Sequence, residues 1–437
     1  MNPGLGSRAR LERCFRAALA AVDAGAAVSR VLERDGKRLW LAGEALPDGA
    51  RLVVLAVGKA AAPMAAAVEA IAGDLIAAGL AVTKDGHGAA LARMPLRETA
   101  HPVPDARSER AAREALALVE SAGREDVLLV LLSGGASSLL ACPAPGLSLE
   151  ELADATRVLL AAGTDIEELN TVRKHLGALA GGRLAQHARD RRIELLVVSD
   201  VPGDRLDLIG SGPLSADPTS FADALAAVER CGVRAALPAR VLAHLEAGAA
   251  GRLPETPKPG DPALARVRAH VLASNAAARR AALEVARAQG ARACDLGAVL
   301  RGEARTVGAR LAALARALCG GQTLCVVAGG ETTVRVRGPG RGGRSQELAL
   351  AAALGLAGDA RSTLLAAGTD GSDGPTHAAG AFADGGTLAR GRRLGLDAQA
   401  ALECNDSGAF FDSEGGLFVT GPTRTNVMDL ALLWLEA

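Results

Sequence analysis

Six successive apolar residues, Val127 to Leu132, run without a polar break into Ser133-Gly134-Gly135-Ala136-Ser137. An apolar run this short, with no alternation, reads as a strand buried on both faces. Two glycines followed by small hydroxyl residues read as a loop whose backbone N–H groups can approach a ligand, and such a concavity favours anions. The same residues also fit a plain strand-to-helix turn, so the rest of the chain decides between the two.

The strand, loop and helix rhythm recurs. Arg51 to Lys59 is a buried strand ending at Gly58-Lys59, followed by an alanine-rich helix from Ala60 to Ile71. A helix over Leu149–Ala162 opens with the capping box Ser148-x-x-Glu151. Another is expected over Ile166–Ala188, then a strand over Glu194–Ser199 that ends in Asp200-Val-Pro-Gly-Asp204. This order predicts an α/β fold with largely parallel sheets flanked by helices, and ligands beyond the carboxyl ends of the strands, where Lys59, Ser133 and Asp200 would lie.

With 437 residues, two domains are expected. The Gly- and Pro-rich stretch Ala247–Pro262 has no apolar period and separates residues 1–250, a Rossmann-like α/β domain, from residues 251–437, a second α/β domain. Beyond it, helices are expected over Ala276–Gln289, Glu303–Cys319 and Leu348–Leu356, strands near Val271 and over Thr323–Ala328, Thr332–Arg337, Thr363–Ala367 and Leu417–Thr420, and a closing helix from Asn426.

Basic and acidic residues balance at 49 each, so nothing draws the whole molecule to nucleic acid or an anionic membrane. No apolar run approaches the roughly 18 to 20 residues that span a bilayer. Seven cysteines without a C-x-x-C pair fit neither a disulfide framework nor a zinc site, and predict a reducing, cytoplasmic setting. Cys319 and Cys325 read as buried thiols.

Several motifs carry chemistry. Gly58-Lys59 is not a P-loop, because Val53 and Ala60 stand where a glycine and a hydroxyl are required. A lysine at a strand end still neutralises phosphoryl oxygens as a point charge. Gly338-x-Gly340-x-x-Gly343 matches the dinucleotide fingerprint, but Arg341 and Arg344 bracket it and no acidic residue follows at the usual place. Two arginines on a Gly-rich turn suit a clamp for carboxylate or phosphate. Asp370 and Asp373 in GTDGSDGP read either as an Asx turn or as hard carboxylates for magnesium or proton transfer. Asp200 and Asp204 share that ambiguity, and Asn405 sits in a polar strand-end loop. His101, His175 and His377 fit no zinc spacing.

The order of these pieces is more specific than any one of them. VGKAA, HPVPD, SGGASSLL, NTVRKHLGALAGGRLA, SDVPGD, GSGP, GGETTV, GGRSQE, GTDGSDGPTHAAGA, NDSGAFF and TGPTRTNVMDL together resemble the glycerate 2-kinase family, the class II type with a MOFRL C-terminal domain. Some of its members are labelled hydroxypyruvate reductases. The resemblance spans nearly the whole chain and implies two α/β domains with the site in the cleft between them. It implies an ATP-dependent phosphoryl transfer to the 2-hydroxyl of D-glycerate with Mg2+; homo-oligomerisation is a possibility that the chain leaves open. Lys59 and Arg344 would be the basic pair at the reacting phosphate and substrate, with Arg344 also a candidate to grip the glycerate carboxylate, and Ser133, Gly134, Gly135, Ala136 and Ser137 the phosphate cradle. Asp200 and Asp370 would be metal ligands or a general base, with Asp373 and Asn405 as further candidates. Ala136, Ser345, His377 and Arg424 depart from the family forms SGGGS, GGRNQE, an acidic residue after GPT, and GPTGTN. The rival enzyme, an NAD(P)H-dependent hydroxypyruvate reductase, rests on the Gly338 fingerprint alone.

Overall fold

A computed structural model describes residues 3–318 and 321–437; Cys319 lies outside the described residues. The chain forms two compact units. One comprises Ala24–Ser199 and Asp204–Leu272; the other comprises the segment ending at Asp23, Asp200–Gly203 and Ala273–Ala437. The change of unit thus falls near residue 273 rather than at the Gly- and Pro-rich stretch, because Val267–Ala273 adds the edge strand to the first sheet. The first helix, Pro3–Ala21, belongs with the later residues. Its buried Leu11, Cys14, Phe15 and Ala18 recur at helical spacing and pack on Asn275–Ala288, and Phe15 meets Phe418 edge to face at 5.3 Å.

In the first unit the sheet order is Leu96–Thr99, Ile76–Lys84, Leu52–Val57, Val127–Ser133, Ile193–Val198, Val267–Ala273. Pairings among the first five strands are all parallel. Leu52–Val57, Val127–Ser133 and Ile193–Val198 are buried at every position, as their unbroken apolar runs require. From Leu52–Val57 the chain proceeds outward to one side, then returns to place Val127–Ser133 on the other. The strand order therefore reverses between Val57 and Ser133, the position where open α/β sheets bind ligands.

The sheet of the second unit departs from expectation. Its order is Arg292–Leu300, Leu324–Gly330, Asp429–Leu435, Ser362–Gly368, Gly380–Asp384, Leu417–Phe418, with one parallel and four antiparallel pairings. Two of the four antiparallel pairings come from the end of the chain, and the other two from Gly380–Asp384. The segment expected as a closing helix is the strand Asp429–Leu435, inserted antiparallel between Leu324–Gly330 and Ser362–Gly368 and buried throughout. A short apolar run carries no periodicity to separate helix from strand.

Two further differences matter for the site. The single helix expected over Ile166–Ala188 is two, Ile166–Leu176 and Arg183–Ala188, broken at Gly177–Gly182, with Gly181 and Gly182 in the left-handed region. Thr332–Arg337 makes only an isolated bridge between Thr333 and Glu303. The capping box at Ser148 is formed as read: Ser148 Oγ accepts from the Glu151 N–H, and Glu151 accepts from the Ser148 N–H.

Candidate active site

At the reversal point of the first sheet, two strand-end loops are sewn together. The Lys59 N–H donates to the Gly134 carbonyl at 3.0 Å, and the Ala60 N–H donates to Ser133 Oγ at 3.0 Å. Gly58 is held at φ +123°, and a methyl group there would lie 2.2 Å from Ser133 Oγ, so only glycine permits this approach. Ser133 and Gly134 are buried. Ser133 and Gly134 build the loop, and Gly135 and Ser137 are its half-buried members.

Around this loop the structure gathers cations that the sequence reading left scattered. A methyl on Gly135 would come within 3.1 Å of His101 Cδ2 and 3.5 Å of Lys59 Cγ. Burial, then the charges of Lys59, Lys84 and Arg173, push His101 down to about 3, so it is a neutral imidazole at physiological pH. Arg173 is the residue the sequence reading passed over. Burial alone pushes its guanidinium down, to about 10, and among the described residues it has no carboxylate or carbonyl partner. Its neighbours in NTVRKHLG face structure instead. Lys174 is 1% exposed, with Nζ donating to Asp217 at 3.1 Å and Asp207 at 3.2 Å. His175 Nδ1 lies 2.7 Å from the Thr171 carbonyl, and burial pushes its pKa down. The sign that could have found Arg173 was a run of three basic residues on a helix with two buried faces; the sequence does not say which one is left unpaired.

In the second unit the polar residues meet at the paired strand ends. Register sets Asp429 opposite both Gly330 and Gly368. Arg344, the first residue of the helix Arg344–Leu356, donates Nε to Asp429 Oδ2 at 2.6 Å, Nη2 to Asp429 Oδ1 at 3.0 Å, and Nη1 to Glu331. These carboxylates, outweighing burial, hold the guanidinium charged far above any working pH. Arg344 is thus already engaged by two acids, and its partner Asp429 is a carboxylate that sequence reading missed.

Two of the candidates, Asp373 and Asn405, are engaged by the protein itself. Asp373, 3% exposed, caps the Arg344 helix by accepting from the N–H groups of Ser345 at 3.0 Å and Gln346 at 2.8 Å. Burial, reinforced by Asp429 and opposed by those N–H groups and Arg344, pushes it up to about 7. Asn405 spends its whole amide on the protein: Oδ1 accepts from the N–H groups of Arg337 and Gly338, and Nδ2 donates to the Arg335 carbonyl and Glu347. The Gly338 fingerprint has a packing cause as well. Methyl groups at Gly338 and Gly340 would strike the Cys404 backbone at 2.7 and 2.4 Å, and one at Gly343 would strike Asp373 at 2.2 Å. These glycines let one loop lie against another, which removes the dinucleotide argument.

Asp200 and Asp370 remain as half-buried carboxylates, both in the second unit and both tied to the loop of residues 420–426. Asn426 Nδ2 donates to Asp200 at 3.4 Å, and the Thr423 N–H donates to the Asp370 carbonyl at 3.3 Å. Asp370 Oδ1 also closes an Asx turn by accepting from the Ser372 N–H at 3.0 Å. Among the described residues no group of three or more His, Cys, Asp or Glu is arranged to hold a metal. Magnesium, however, is commonly held by one or two carboxylates together with substrate phosphates, and hard oxygens at Asp200 and Asp370 suit it. No described helix is long and apolar enough to cross a membrane.

Residues 10–246 match a domain of unknown function, DUF4147, and residues 324–429 match the MOFRL family. The chain is 37% identical over 421 residues to the glycerate 2-kinase of Pyrococcus horikoshii, covering 95% of this chain and 94% of that one. It is 40% identical over 432 residues, 97% of this chain and 93% of the relative, to an Agrobacterium vitis protein carrying a provisional hydroxypyruvate reductase name. The crystal structure of glycerate kinase from Thermotoga maritima superposes with a TM-score of 0.83 at 37% identity, over 98% of this chain and all of that one. With homology running through both units and the resemblance of the motifs matched by the fold, the chain belongs to the glycerate 2-kinase family.

Proposed function

We propose that this protein transfers the γ-phosphoryl group of ATP to the 2-hydroxyl of D-glycerate, giving 2-phosphoglycerate and ADP. The observation that carries this reading is the Gly-rich loop at the sheet's reversal point, surrounded by Lys59, Lys84 and Arg173. That is a site for anions, and both partners of the reaction are anions. Phosphoryl transfer demands alignment and neutralisation more than covalent help from the protein.

The substrate hydroxyl oxygen forms a bond to Pγ as the bond from Pγ to the ADP oxygen breaks, and the hydroxyl proton passes to a carboxylate or to solvent. Lys59 neutralises the transferring group, and the N–H groups of the half-buried Gly135 and Ser137 receive phosphate oxygens. Arg344 keeps Asp429 and Glu331 fixed; if the phosphoryl group draws its guanidinium away, those acids must be met by a cation. Asp200 and Asp370 would hold magnesium, which when bound neutralises and aligns phosphate oxygens. Work on small hydrophilic metabolites suits a cytoplasmic protein.

The test is ADP release dependent on D-glycerate, with the product resolved by phosphorus NMR. A 2-phosphoglycerate signal supports the reading. Oxidation of NAD(P)H by hydroxypyruvate without any ATP requirement would overturn it.

A further inference from the structure

Behind the Gly-rich loop lies a cavity of about 60 Å³, lined by Arg173, Ser137, Ser211, Thr156, Cys142 and apolar side chains from the sheet. About 10–15 Å³ suffices for one water. The space therefore admits a carboxylate and the carbon next to it, and excludes a nucleotide.

Two polar groups at this cavity have unused capacity. Among the described residues, Arg173 has none of the partners that a structural arginine acquires. Arg183, ten residues on, donates to the carbonyls of Lys174 at 2.6 Å and Gly177 at 3.2 Å; Arg173 does neither, and no acid faces it among the described residues. A half-buried guanidinium left this way carries a desolvation cost that a bound anion would offset. Ser137 is set by a relay. Ser211 Oγ donates its hydrogen to Asn170 Oδ1 at 2.9 Å, so in the 2.7 Å contact between Ser137 and Ser211 it is Ser137 that donates. With its own hydrogen spent, Ser137 Oγ can only accept. A ligand suited to this corner has an anionic group for Arg173 and, close by, a hydroxyl with a hydrogen to give.

We propose that Arg173 and Ser137 are the residues that select 2-hydroxy carboxylates, the guanidinium forking onto the carboxylate while Ser137 Oγ accepts from an adjacent hydroxyl. The fork geometry favours a planar carboxylate over a point anion. The inference rests on the kinase reading only for what happens to the ligand afterwards; recognition stands apart from turnover.

The experiment measures D-glycerate binding by calorimetry and D-glycerate kinetics for the full chain and for Arg173→Met, Arg173→Lys and Ser137→Ala. Glycerol, which lacks the carboxylate, serves as the neutral ligand and D-lactate as a second hydroxy acid. We expect Arg173→Met to weaken D-glycerate and D-lactate about 10- to 100-fold, as the loss of a charged hydrogen-bond partner predicts. Arg173→Lys should recover part of that, and KM for ATP should stay within about twofold. Ser137→Ala should weaken both acids by a smaller factor, in keeping with a neutral hydrogen bond. The proposal is overturned if Arg173→Met, with a wild-type unfolding curve, binds D-glycerate as tightly as wild type. It is overturned equally if glycerol binds as well as D-glycerate. Should wild type bind D-glycerate and yet produce no phosphoglycerate, the kinase reading fails while the Arg173 comparison still decides this one.

Discussion

Arg344 and Asp429 face each other across two parallel N–H···O bonds of 2.6 and 3.0 Å, and the same guanidinium reaches Glu331. Asp429 stands in register with Gly330 and Gly368, so one arginine fixes the ends of three strands and the start of a helix. A cation whose charge is so thoroughly met does not wait idle for a phosphate. In the resting protein it is a lock, and its catalytic part is a proposal that begins from the locked state.

Removing the lock should therefore cost stability as well as turnover. Arg344→Ala leaves Asp429, 4% exposed, and the nearby Asp373 without the charge that offsets them. The expected loss is about 1–3 kcal/mol, the cost of leaving a buried acid without its partner when that partner is itself a third exposed. Arg344→Lys keeps the charge but not the fork and should lie between. Urea unfolding measures both, and an unchanged midpoint in Arg344→Ala would contradict the lock.

Lys59 should divide the other way, large in catalysis and small in stability. Its backbone N–H, which binds Gly134, survives any side-chain change. Lys59→Met is expected to lower kcat by about 10²–10³-fold, the range seen when one group stabilising transition-state charge is removed. Unfolding should stay within about 1 kcal/mol of wild type. A coupled ADP assay run beside a urea titration reads the two effects separately.

Two buried groups give stability an unusual pH dependence. His101 is pushed from 6.5 down to about 3, so the folded state binds its proton less readily than the unfolded chain does. Its contribution is complete above about pH 6.5 and is lost as pH falls toward 3, at about 1.4 kcal/mol per unit. Asp373 is pushed from 3.8 up to about 7 and has the opposite sign: its contribution is complete below about 3.8 and is lost as pH rises toward 7. Between roughly pH 4 and 6.5 the two slopes oppose each other. Relative to wild type, His101→Gln should gain stability on acidification through this window, and Asp373→Asn should lose it. Urea midpoints at about pH 4.5, 5.5 and 6.5 decide the matter. Parallel profiles for His101→Gln and wild type would show that the imidazole is not kept neutral.

What the sequence revealed and what it hid follow from the range of the interactions. Val127–Ser133 and its glycine loop were legible because burial on both faces and a tight turn are local demands. The strand Asp429–Leu435 was not, since its place in the middle of a sheet is set by partners more than sixty residues away in sequence. The same reason separates Lys59 from Arg173. A lysine just past a strand end is visible as such, whereas nothing local in the sequence shows that the fold brings carboxylates to Lys174 and none to Arg173 among the described residues. The glycines at 338, 340 and 343 were ambiguous for the opposite reason: a local pattern allowed a cofactor as the rival reading, whereas close contacts with Cys404 and Asp373, distant in sequence, account for them.

Arg424, the departure in GPTRTN, occupies backbone at φ +60°, in the left-handed region, with its side chain exposed. The glycine of the family form would sit there without strain, whereas an L-residue pays about 1–2 kcal/mol. Glycine returns about 0.5–1 kcal/mol of that through the greater freedom of its unfolded chain. Arg424→Gly should thus stabilise the protein by a net of about 0.5–1 kcal/mol, and Arg424→Ala, which keeps the strain while removing the charge, should change little. A gain in both variants would assign the effect to the charge rather than to the backbone. Because this turn lies between Thr423, bonded to Asp370, and Asn426, bonded to Asp200, comparing KM for magnesium in wild type and Arg424→Gly also reads whether relaxing the turn moves those two carboxylates.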